Sequence, residues 1–239
     1  MTTLFISDLH LDAGEPETIR RFVTFIETEA RGARALYILG DLFEAWVGDD
    51  EDDPRLAPVQ AALADLTRAG VPCSLMHGNR DFLIGPRFCA ATGCRLLGDY
   101  ERVDLYGNTV LLTHGDLLCT DDTRYLSLRK TLRNPAWQRD FLAKPLAERR
   151  KIAAELRQLS AAEIAAKSYD IMDVNQATVD HVMREHDVSL LLHGHTHRPA
   201  IHRFVLDNRP AARIVLGAWY EQAGIVRWDA DGYRLDTLD

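Results

Sequence analysis

The sequence predicts an α/β fold whose strands and helices alternate through the first half of the chain. Two observations lead to this prediction. Short apolar runs of strand length are separated by segments in which apolar residues recur at helical spacing. A short polar block follows directly after each of five such runs. Because ligands bind outside the carboxyl ends of the strands in open α/β sheets, these blocks indicate a functional site at that edge.

The first two predicted strands are each followed by a predicted helix. The first strand contains Leu4-Phe5-Ile6, and apolar residues at helical spacing predict a helix over Glu15–Arg31. The second strand ends at Leu39. An acidic loop, residues 49–53, precedes a helix that runs to about Arg68, and we interpret this loop as a solvated charge run.

The later strands fall into two groups. After a third strand over 71–76, a short helix is predicted over Asp81–Thr92, with an interruption around Gly85-Pro86. A hairpin across Tyr106-Gly107-Asn108 follows. A second set of strands is predicted late in the chain, at residues 200–206, 212–216, 224–228 and 233–238.

A helical segment lies between these two groups of strands. Ala, Leu, Arg, Glu and Lys dominate residues 120–170, and breaks are expected near Asn134-Pro135 and Lys144-Pro145. Because the segment lies between two polar blocks, we predict a helical cap inserted within one domain that spans residues 1–239. An insertion beside an active site is well placed to be a lid. It holds 11 Lys/Arg against 7 Asp/Glu, although the whole chain has a net charge of −8.

Composition argues against several classes of protein. The net charge of −8 disfavours a nucleic-acid-binding protein that works through a general positive field. No apolar run approaches the roughly 18 residues of a membrane-spanning helix, and the N-terminus lacks the basic region of a signal peptide. The four cysteines form no Cys-x-x-Cys pair, which favours free thiols in a reducing cytosol.

Five polar blocks carry the candidate chemistry. Their side chains offer two Asp, one Asn and four His but no thiolate, a set that suits two divalent cations such as Mn²⁺ or Mg²⁺ better than a structural zinc. Two adjacent metals can hold a phosphate and activate water against it. Each block alone is weak, since Gly-Asp is first of all a turn signal. The blocks are Asp8-Leu9-His10, Gly40-Asp41, Gly78-Asn79-Arg80-Asp81, His114-Gly115 and Gly194-His195-Thr196-His197.

The last block adds an expectation about the backbone. Alternate residues such as His195 and His197 point the same way only in an extended chain, so we expect an extended conformation there.

In their order the five blocks resemble those of the calcineurin-like metallophosphoesterase superfamily, which reads Asp-x-His, Gly-Asp, Gly-Asn-(His/Arg)-(Asp/Glu), His and Gly-His-x-His. Three further stretches, residues 171–176, 192–199 and 215–219, give a narrower match to the pyrophosphohydrolase family of lipid A biosynthesis. This similarity covers nearly the whole chain, including its length and its helical insertion.

The resemblance implies both a fold and a reaction. The fold would be a four-layer α/β/β/α sandwich with a helical cap. Members of the narrower family hydrolyse the pyrophosphate of UDP-2,3-diacylglucosamine to UMP and 2,3-diacylglucosamine 1-phosphate. They use Mn²⁺ and work in the cytoplasm, as peripheral proteins at the inner face of the inner membrane of Gram-negative bacteria.

The resemblance also assigns seven metal ligands. One ion is held by Asp8, His10 and His197, the other by Asn79, His114 and His195, and Asp41 bridges the two. Water activated by the metals would attack the uridine-side phosphate, and the sugar phosphate would leave. In the same pattern Asn79, Arg80 and His195 act in catalysis and also contact the substrate.

Arg80 departs from the common Gly-Asn-His form of its block. Arginine cannot act as an acid at ordinary pH. A sugar phosphate is a good leaving group that hardly needs a proton, however, and a fixed bidentate cation suits a pyrophosphate. The alternative interpretation is an ordinary salt bridge to Asp81, and both can hold at once.

Three residues of the predicted cap, Asp122, Ser160 and Lys167, match substrate contacts of the family. Each has a plainer interpretation. Asp122 could cap the helix that follows it, Ser160 could open a capping box that ends at Glu163, and Lys167 could lie on a solvated face. Ile164 stands where the family often has Asn, which leaves one sugar or acyl-carbonyl contact in doubt.

Two acyl chains require an apolar trough. Candidate residues lie near the blocks or in the cap, and most would belong to the core by default: Trp46, Phe82, Leu83, Phe141, Leu142, Ile152 and Leu156. The net-positive cap is expected to touch anionic lipid at the membrane surface. We expect a monomer, and we interpret the remaining histidines, 77, 181, 186, 193 and 202, as structural or surface residues.

Two alternatives to this function stay open. The first is another dimetal phosphodiesterase or a nucleoside-polyphosphate hydrolase, whose soluble substrate would not need an apolar cleft. The second is a non-catalytic scaffold on the same fold, which should have lost metal ligands. All seven are present in this sequence.

Overall fold

The computed structural model describes residues 1–166, 173–220 and 223–238, without the side chains of residues 160–166. The strands are β1 (Thr3–Ile6), β2 (Ala35–Ile38), β3 (Cys73–Leu75), β4 (Arg95–Leu96), β5 (Tyr100–Leu105), β6 (Asn108–Thr113), β7 (Leu190–His193), β8 (Ala200–Leu206), β9 (Arg209–Val215), β10 (Gly224–Asp229) and β11 (Gly232–Thr237). The helices are α1 (Pro16–Thr28), α2 (Ala57–Arg68), α3 (Pro86–Thr92), α4 (Thr123–Leu132), α5 (Pro135–Leu142), α6 (Leu146–Ala166) and α7 (Gln176–Glu185).

Within the described residues the strands form two mixed sheets. The first has the order β11-β10-β1-β2-β3-β4 and the second the order β5-β6-β7-β9-β8. Strands β1 to β4 run parallel in the first sheet, as do β6, β7 and β9 in the second. The carboxyl ends of each parallel group therefore lie at one edge of their sheet.

Alternation along the strands divides the apolar residues among three clusters, as sheets covered on both faces require. In β1, Leu4 and Ile6 pack with residues of α1 and α2, whereas Phe5 belongs to the cluster between the sheets. In β6, Leu112 joins that central cluster and Leu111 packs with residues of α7. The layers are thus helix, sheet, sheet and helix, as the resemblance implied.

Most predicted elements are confirmed, with two changes at helix starts. The first helix begins at Pro16, the first-turn position at which the missing N–H of proline costs nothing. The third begins only at Pro86, not at Asp81. The carboxylate of Asp81 accepts hydrogen bonds from the backbone N–H groups of Gly78 and Leu42, so the chain before Pro86 forms a loop tied to its neighbour.

Helices α4 to α6, hereafter the helical insertion, connect β6 to the α7–β7 unit. The predicted breaks are confirmed by their caps. Asn134 accepts hydrogen bonds from the N–H groups of Ala136 and Trp137 at the start of α5, and Pro145 directly precedes α6. Between residues 123 and 159 only Phe141 and Arg149 are buried, so the insertion lies against the sandwich rather than inside it.

The acidic loop, residues 49–53, was wrongly interpreted as solvated charge. Asp49 accepts hydrogen bonds from the first N–H groups of α3, including that of Phe88, and from the indole of Trp46. Asp50 pairs with the buried guanidinium of Arg149 on α6. These carboxylates fasten α3 and the helical insertion to the first sheet.

The described residues contain no helix that is both long and apolar enough to cross a membrane.

Candidate metal centre

All seven predicted donor side chains converge at one edge of the sandwich. They follow β1, β2 and β3 of the first sheet and β6 and β7 of the second, in each case just after the last residue of the strand. Asp8, Asp41 and His114 are almost fully buried there. The structure therefore brings together every residue that the sequence assigned to the two metals.

The backbone of the donors is left-handed rather than extended. His195 and His197 have φ values of 68° and 55°, so the expectation of an extended chain at this block is wrong. Asp8, His10 and Asp41 share this conformation, with φ values of 56°, 50° and 51°. Such positive φ values cost about 1–3 kcal/mol for non-glycine residues and are typical of functional sites.

The donor atoms form two groups joined by one carboxylate. His197 Nε2 lies 3.4 Å from Asp8 Oδ1 and 3.4 Å from His10 Nε2.

In the second group Asn79 Oδ1 lies 3.0 Å from both His114 Nε2 and His195 Nδ1. Asp41 Oδ2 lies between the groups, 3.8 Å from His10 Nε2 and 3.7 Å from His114 Nε2. This is the arrangement of two three-residue sites that share a bridging ligand.

The donor set fits a pair of divalent cations. Asp8 is fully buried, yet its Oδ1 accepts no well-formed hydrogen bond from the described residues. Asp8 belongs to two clusters compact enough to hold an ion, one with His10 and His197 and the other with Asp41 and His114. A buried carboxylate oxygen without a donor is costly unless a cation occupies its lone pair.

Three of the histidines are oriented through their second ring nitrogen. His10 Nδ1 lies 2.8 Å from Glu44 Oε2, and His114 Nδ1 donates to the carbonyl of Leu39 at 2.8 Å. His197 Nδ1 lies 2.6 Å from the hydroxyl of Tyr220. Such partners fix the ring orientation of metal-binding histidines. No sequence pattern indicated Glu44 or Tyr220, because neither lies in a polar block.

Two of the donor histidines, His10 and His195, have pKa values shifted in opposite directions. Burial disfavours the charged form of His10, but its hydrogen bond to Glu44 and the nearby Asp41 outweigh burial and raise its pKa to about 9. Burial and the neighbouring His114 instead lower the pKa of His195 to about 4. A cation binds neutral imidazole, so binding at His10 releases a proton whereas His195 is already neutral.

Two glycines of the blocks permit close approach between loops. A Cβ at Gly78 would lie 2.0 Å from Asp41 Oδ1, and a Cβ at Gly194 would lie 2.2 Å from Asp8 Oδ2. The loops pack so tightly that both carboxylates also accept backbone N–H groups, from Arg80 and His195 respectively.

Asp81 holds two of these loops together and does not pair with Arg80. It is fully buried and accepts backbone N–H groups of Gly78 and Leu42 at 2.8 and 2.7 Å. Burial and the charge of Asp41 raise its pKa to about 6. The salt bridge considered from the sequence as the alternative role of Arg80 is therefore absent.

Arg80 is instead positioned beside the donors. Its Nε is buried and makes no hydrogen bond with the described residues. Its positive charge contributes to the lowering of the Glu44 pKa, after the hydrogen bond from His10 and against the effect of burial. The guanidinium is thus held near the centre with donor capacity to spare.

One contact group links the helical insertion to the centre. Asp116, which follows the His114 block, accepts hydrogen bonds from Tyr125 Oη at 2.5 Å and from Arg129 Nε at 2.6 Å. The ring of Tyr125 lies 5.9 Å from that of His195. Burial opposes ionisation of Asp116, but His114 and Arg129 hold its pKa well below the usual range. No motif in the sequence indicated this group.

The predicted cap residues have mixed outcomes. Asp122 is the N-cap of α4 and accepts the N–H of Tyr125, as the plainer interpretation expected. Ser160 lies inside the unbroken helix α6, so the capping-box interpretation is wrong. The side chains of Ser160 and Ile164, and all of Lys167, lie outside the described residues.

The candidate trough residues divide between the core and the surface. Trp46, Leu83 and Phe141 are buried in the main core. Phe82 packs against Trp137 with ring centroids 6.4 Å apart and remains half-buried. Three further candidates lie half-buried or exposed on α5 and α6: Leu142, Ile152 and Leu156.

The remaining histidines lie outside the two donor groups. His77 donates to the carbonyl of Ile84, and His193 is buried against Arg213. His181 is exposed.

Comparisons with known proteins agree with this geometry. The model of the calcineurin-like phosphoesterase family matches residues 1–199. Proteins named UDP-2,3-diacylglucosamine hydrolase from Salmonella typhi and Salmonella arizonae are each 51% identical over 235 residues, which cover 98% of this chain and 98% of each relative. A solved archaeal phosphodiesterase shares the fold, with a TM-score of 0.50, 14% identity and full coverage of both chains.

Proposed function

The chain belongs to the calcineurin-like phosphoesterase family, and from this membership and its near full-length similarity to UDP-2,3-diacylglucosamine hydrolases we propose that it hydrolyses UDP-2,3-diacylglucosamine. The products are UMP and 2,3-diacylglucosamine 1-phosphate. One observation supports the reaction class above all others: seven oxygen and nitrogen donors converge in two groups that share Asp41.

Two divalent cations complete this site, and Mn²⁺ suits its mixture of carboxylate, amide and imidazole ligands. Asp8, His10 and His197 would hold one ion, and Asn79, His114 and His195 would hold the other. Asp41 would be shared between the two groups. When bound, the pair of ions neutralises phosphate charge and lowers the pKa of water to near neutrality.

The protein's own residues orient the pyrophosphate. Asn79 and His195 are only half-buried, unlike His114 in the same group, so they can contact a phosphate oxygen as well as an ion. Glu44 and Tyr220 keep the rings of His10 and His197 fixed, so little reorganisation is needed during the reaction.

Arg80 supplies a fixed positive charge rather than a proton. Its guanidinium cannot donate a proton to a leaving group at neutral pH. It can form two parallel hydrogen bonds to phosphate oxygens and stabilise the negative charge on the departing sugar phosphate. Its buried Nε without a partner is consistent with this role.

Water attacks the uridine-side phosphate in this proposal, so that the sugar keeps the other phosphate. Asp122, Ser160 and Lys167 are proposed to contact the sugar half of the substrate from the helical insertion. Asp122 can cap α4 and still accept a further hydrogen bond, because a carboxylate has two oxygens with several lone pairs.

The helical insertion is proposed to act as a cap that touches the cytoplasmic face of the inner membrane. Leu128, Leu142 and Leu159 are exposed on its three helices. Residues 120–170, which include these helices, carry 11 Lys/Arg against 7 Asp/Glu. Basic residues near an anionic leaflet contribute about 1 kcal/mol each, so binding to anionic vesicles should weaken as salt rises. Salt-independent binding, or none, would contradict this part of the proposal.

The reaction is tested with UDP-2,3-diacylglucosamine and Mn²⁺ in H₂¹⁸O, followed by phosphorus NMR. Label in UMP is expected, since the water oxygen then joins the uridine-side phosphate. Label only in the lipid product would overturn the position of attack. Absence of turnover, with hydrolysis of a soluble phosphodiester or nucleoside polyphosphate instead, would favour another member of the family.

A further inference from the structure

A cavity of about 380 Å³ lies beside the metal centre and outside the donor groups. Three segments line it: the loop of residues 11–14, the loop of residues 45–56 and the first half of α6. The loop 11–14 begins directly after the metal ligand His10. We name this the α6-side cavity. Its size falls in the range of roughly 300–1,000 Å³ typical of small-molecule sites.

A chain of contacts joins the cavity to the centre. Arg157 of α6 lies 3.5 Å from Asp12 and 3.8 Å from Glu44. Glu44 in turn contacts His10 at 2.8 Å. Two side chains, those of Arg157 and Glu44, therefore connect a ligand in the cavity to the first donor group.

The charges of the cavity balance. Its lining contains three guanidinium groups and three carboxylates, those of Arg55, Arg150 and Arg157 and of Asp12, Glu51 and Asp53. Most are already paired with one another, as in the contacts of Arg55 with Asp53 and of Arg150 with Glu51. A neutral polar lining suits an uncharged ligand rich in hydrogen-bonding groups better than a further phosphate.

The surface next to the Arg80 block has a different character. There Phe82 and Trp137 form a half-buried aromatic wall, with Arg133 stacked over the ring of Phe82. The proposed substrate is divided in the same way, with two acyl chains at one end and a nucleoside at the other. An apolar wall suits the acyl chains, which leaves the polar cavity for the other end.

We propose that the α6-side cavity is the subsite for the nucleoside half of the substrate, a ribose and an uncharged pyrimidine. This proposal rests on the function proposed above. The carboxylates can accept the ribose hydroxyls, and the guanidinium groups can donate to the base carbonyls. Apolar residues among the lining, Leu11, Val47, Leu56 and Ala153, provide surface for the ring faces.

The test compares inhibition by the two halves of the substrate. Arg55→Ala and Asp12→Asn should each raise the inhibition constant of UMP and the KM by about tenfold, the effect expected when a hydrogen bond to a charged group is lost. Inhibition by 2,3-diacylglucosamine 1-phosphate, and by ribose 5-phosphate for Arg55→Ala, should not change. The kcat at saturating substrate should stay within a few-fold of the wild-type value.

Arg68→Ala is the control, because Arg68 is likewise an exposed arginine paired with a nearby carboxylate, Asp65, on α2 and does not line the cavity. Arg68→Ala should leave the KM, the kcat and the inhibition constants of both products unchanged. The subsite is overturned, while the reaction stands, if both cavity variants keep the wild-type inhibition constant of UMP. The same holds if they weaken inhibition by UMP and by 2,3-diacylglucosamine 1-phosphate equally. If the wild-type chain fails to hydrolyse UDP-2,3-diacylglucosamine, the proposed function itself fails.

Discussion

The metal centre and the helical insertion are built in opposite ways. At the centre, Asp8, Asp41 and His114 are almost fully buried and most donors have a second fixed partner. In the insertion α4 buries none of its residues, and charged contacts such as Arg129 with Asp116 hold it to the sandwich.

In the proposed function, this contrast separates the reaction from substrate recognition. A cation pair requires ligand positions fixed to a fraction of an ångström, which loops between packed parallel strands can supply. A cover for long acyl chains must instead move to admit and release them, and segments with few buried contacts open at low cost. The following variants test whether the two regions are in fact independent.

The largest effect is expected from Asp41→Asn. It removes the bridging negative charge while keeping the side-chain size, so the two donor groups should no longer bind both cations. We expect kcat to fall by about 10³-fold and bound Mn²⁺ to drop below two ions per chain. Elemental analysis measures bound Mn²⁺, and the NMR assay measures turnover. Asp231→Asn, at an exposed position, is the control. Retention of two ions and of activity would show that Asp41 is not the bridge.

Asp116→Asn should break the contact between the two regions. It leaves Arg129 without its buried partner, so unfolding free energy should fall by about 3–5 kcal/mol at pH 7. The pKa of Asp116 is lowered in the folded chain. Ionised Asp116 therefore stabilises the fold above the unfolded pKa of about 4. This stabilisation is lost progressively as pH falls below that value towards the lower folded pKa.

Urea unfolding of the metal-free wild type and of Asp116→Asn, at pH 7 and at pH 3, measures the difference in their unfolding free energies. The difference in unfolding free energy between wild type and Asp116→Asn should be smaller at pH 3 than at pH 7. A gap that stays constant with pH would mean that the charge of Asp116 contributes nothing.

Arg80→Ala should separate turnover from metal binding. We expect kcat to fall by about 10²-fold, the loss typical of one removed transition-state donor, while the Mn²⁺ content stays at the wild-type value. Arg87→Ala, an exposed arginine of the same region, is the control. Activity within a few-fold of wild type would remove Arg80 from the proposed mechanism.

The smallest effect concerns the attachment of α6. Arg149 is buried, pairs with Asp50 and donates to the carbonyls of Val47 and Lys144. Its neighbour Arg150 is exposed and pairs with the exposed Asp52 as well as with Glu51. Arg149→Met should lower the unfolding free energy by about 1–3 kcal/mol and reduce hydrogen-exchange protection along α6. Arg150→Met should cost about 0–1 kcal/mol. Equal losses would show that burial of Arg149 does not matter.

The same contrast between the centre and the insertion explains which features could be predicted from the sequence. Every donor lies directly after an apolar run, so position at a strand end was sufficient to identify the centre. The contacts of the insertion join distant segments, such as Arg149 and Asp50, which are 99 residues apart. Which charges meet depends on how the loops pack, and local patterns do not encode that packing. For this reason the acidic loop was interpreted as solvated and Asp116 was missed.

The other wrong prediction, within the polar blocks, concerned backbone conformation. Spacing alone suggested an extended chain for His195 and His197, whereas both are left-handed. Most residues avoid that conformation unless surrounding contacts impose it, so local sequence could not reveal it.

The left-handed donors make stability and activity compete residue by residue. Asp8, His10, Asp41, His195 and His197 occupy a backbone region that glycine adopts without cost. Replacing one of them by glycine would relieve local strain in the metal-free chain and destroy a ligand in the same step. A thermostability screen without an activity filter would thus favour the loss of the very residues that are proposed to hold the metals. Engineering of this scaffold must hold these five positions constant and seek stability elsewhere, for example in the loosely packed helical insertion.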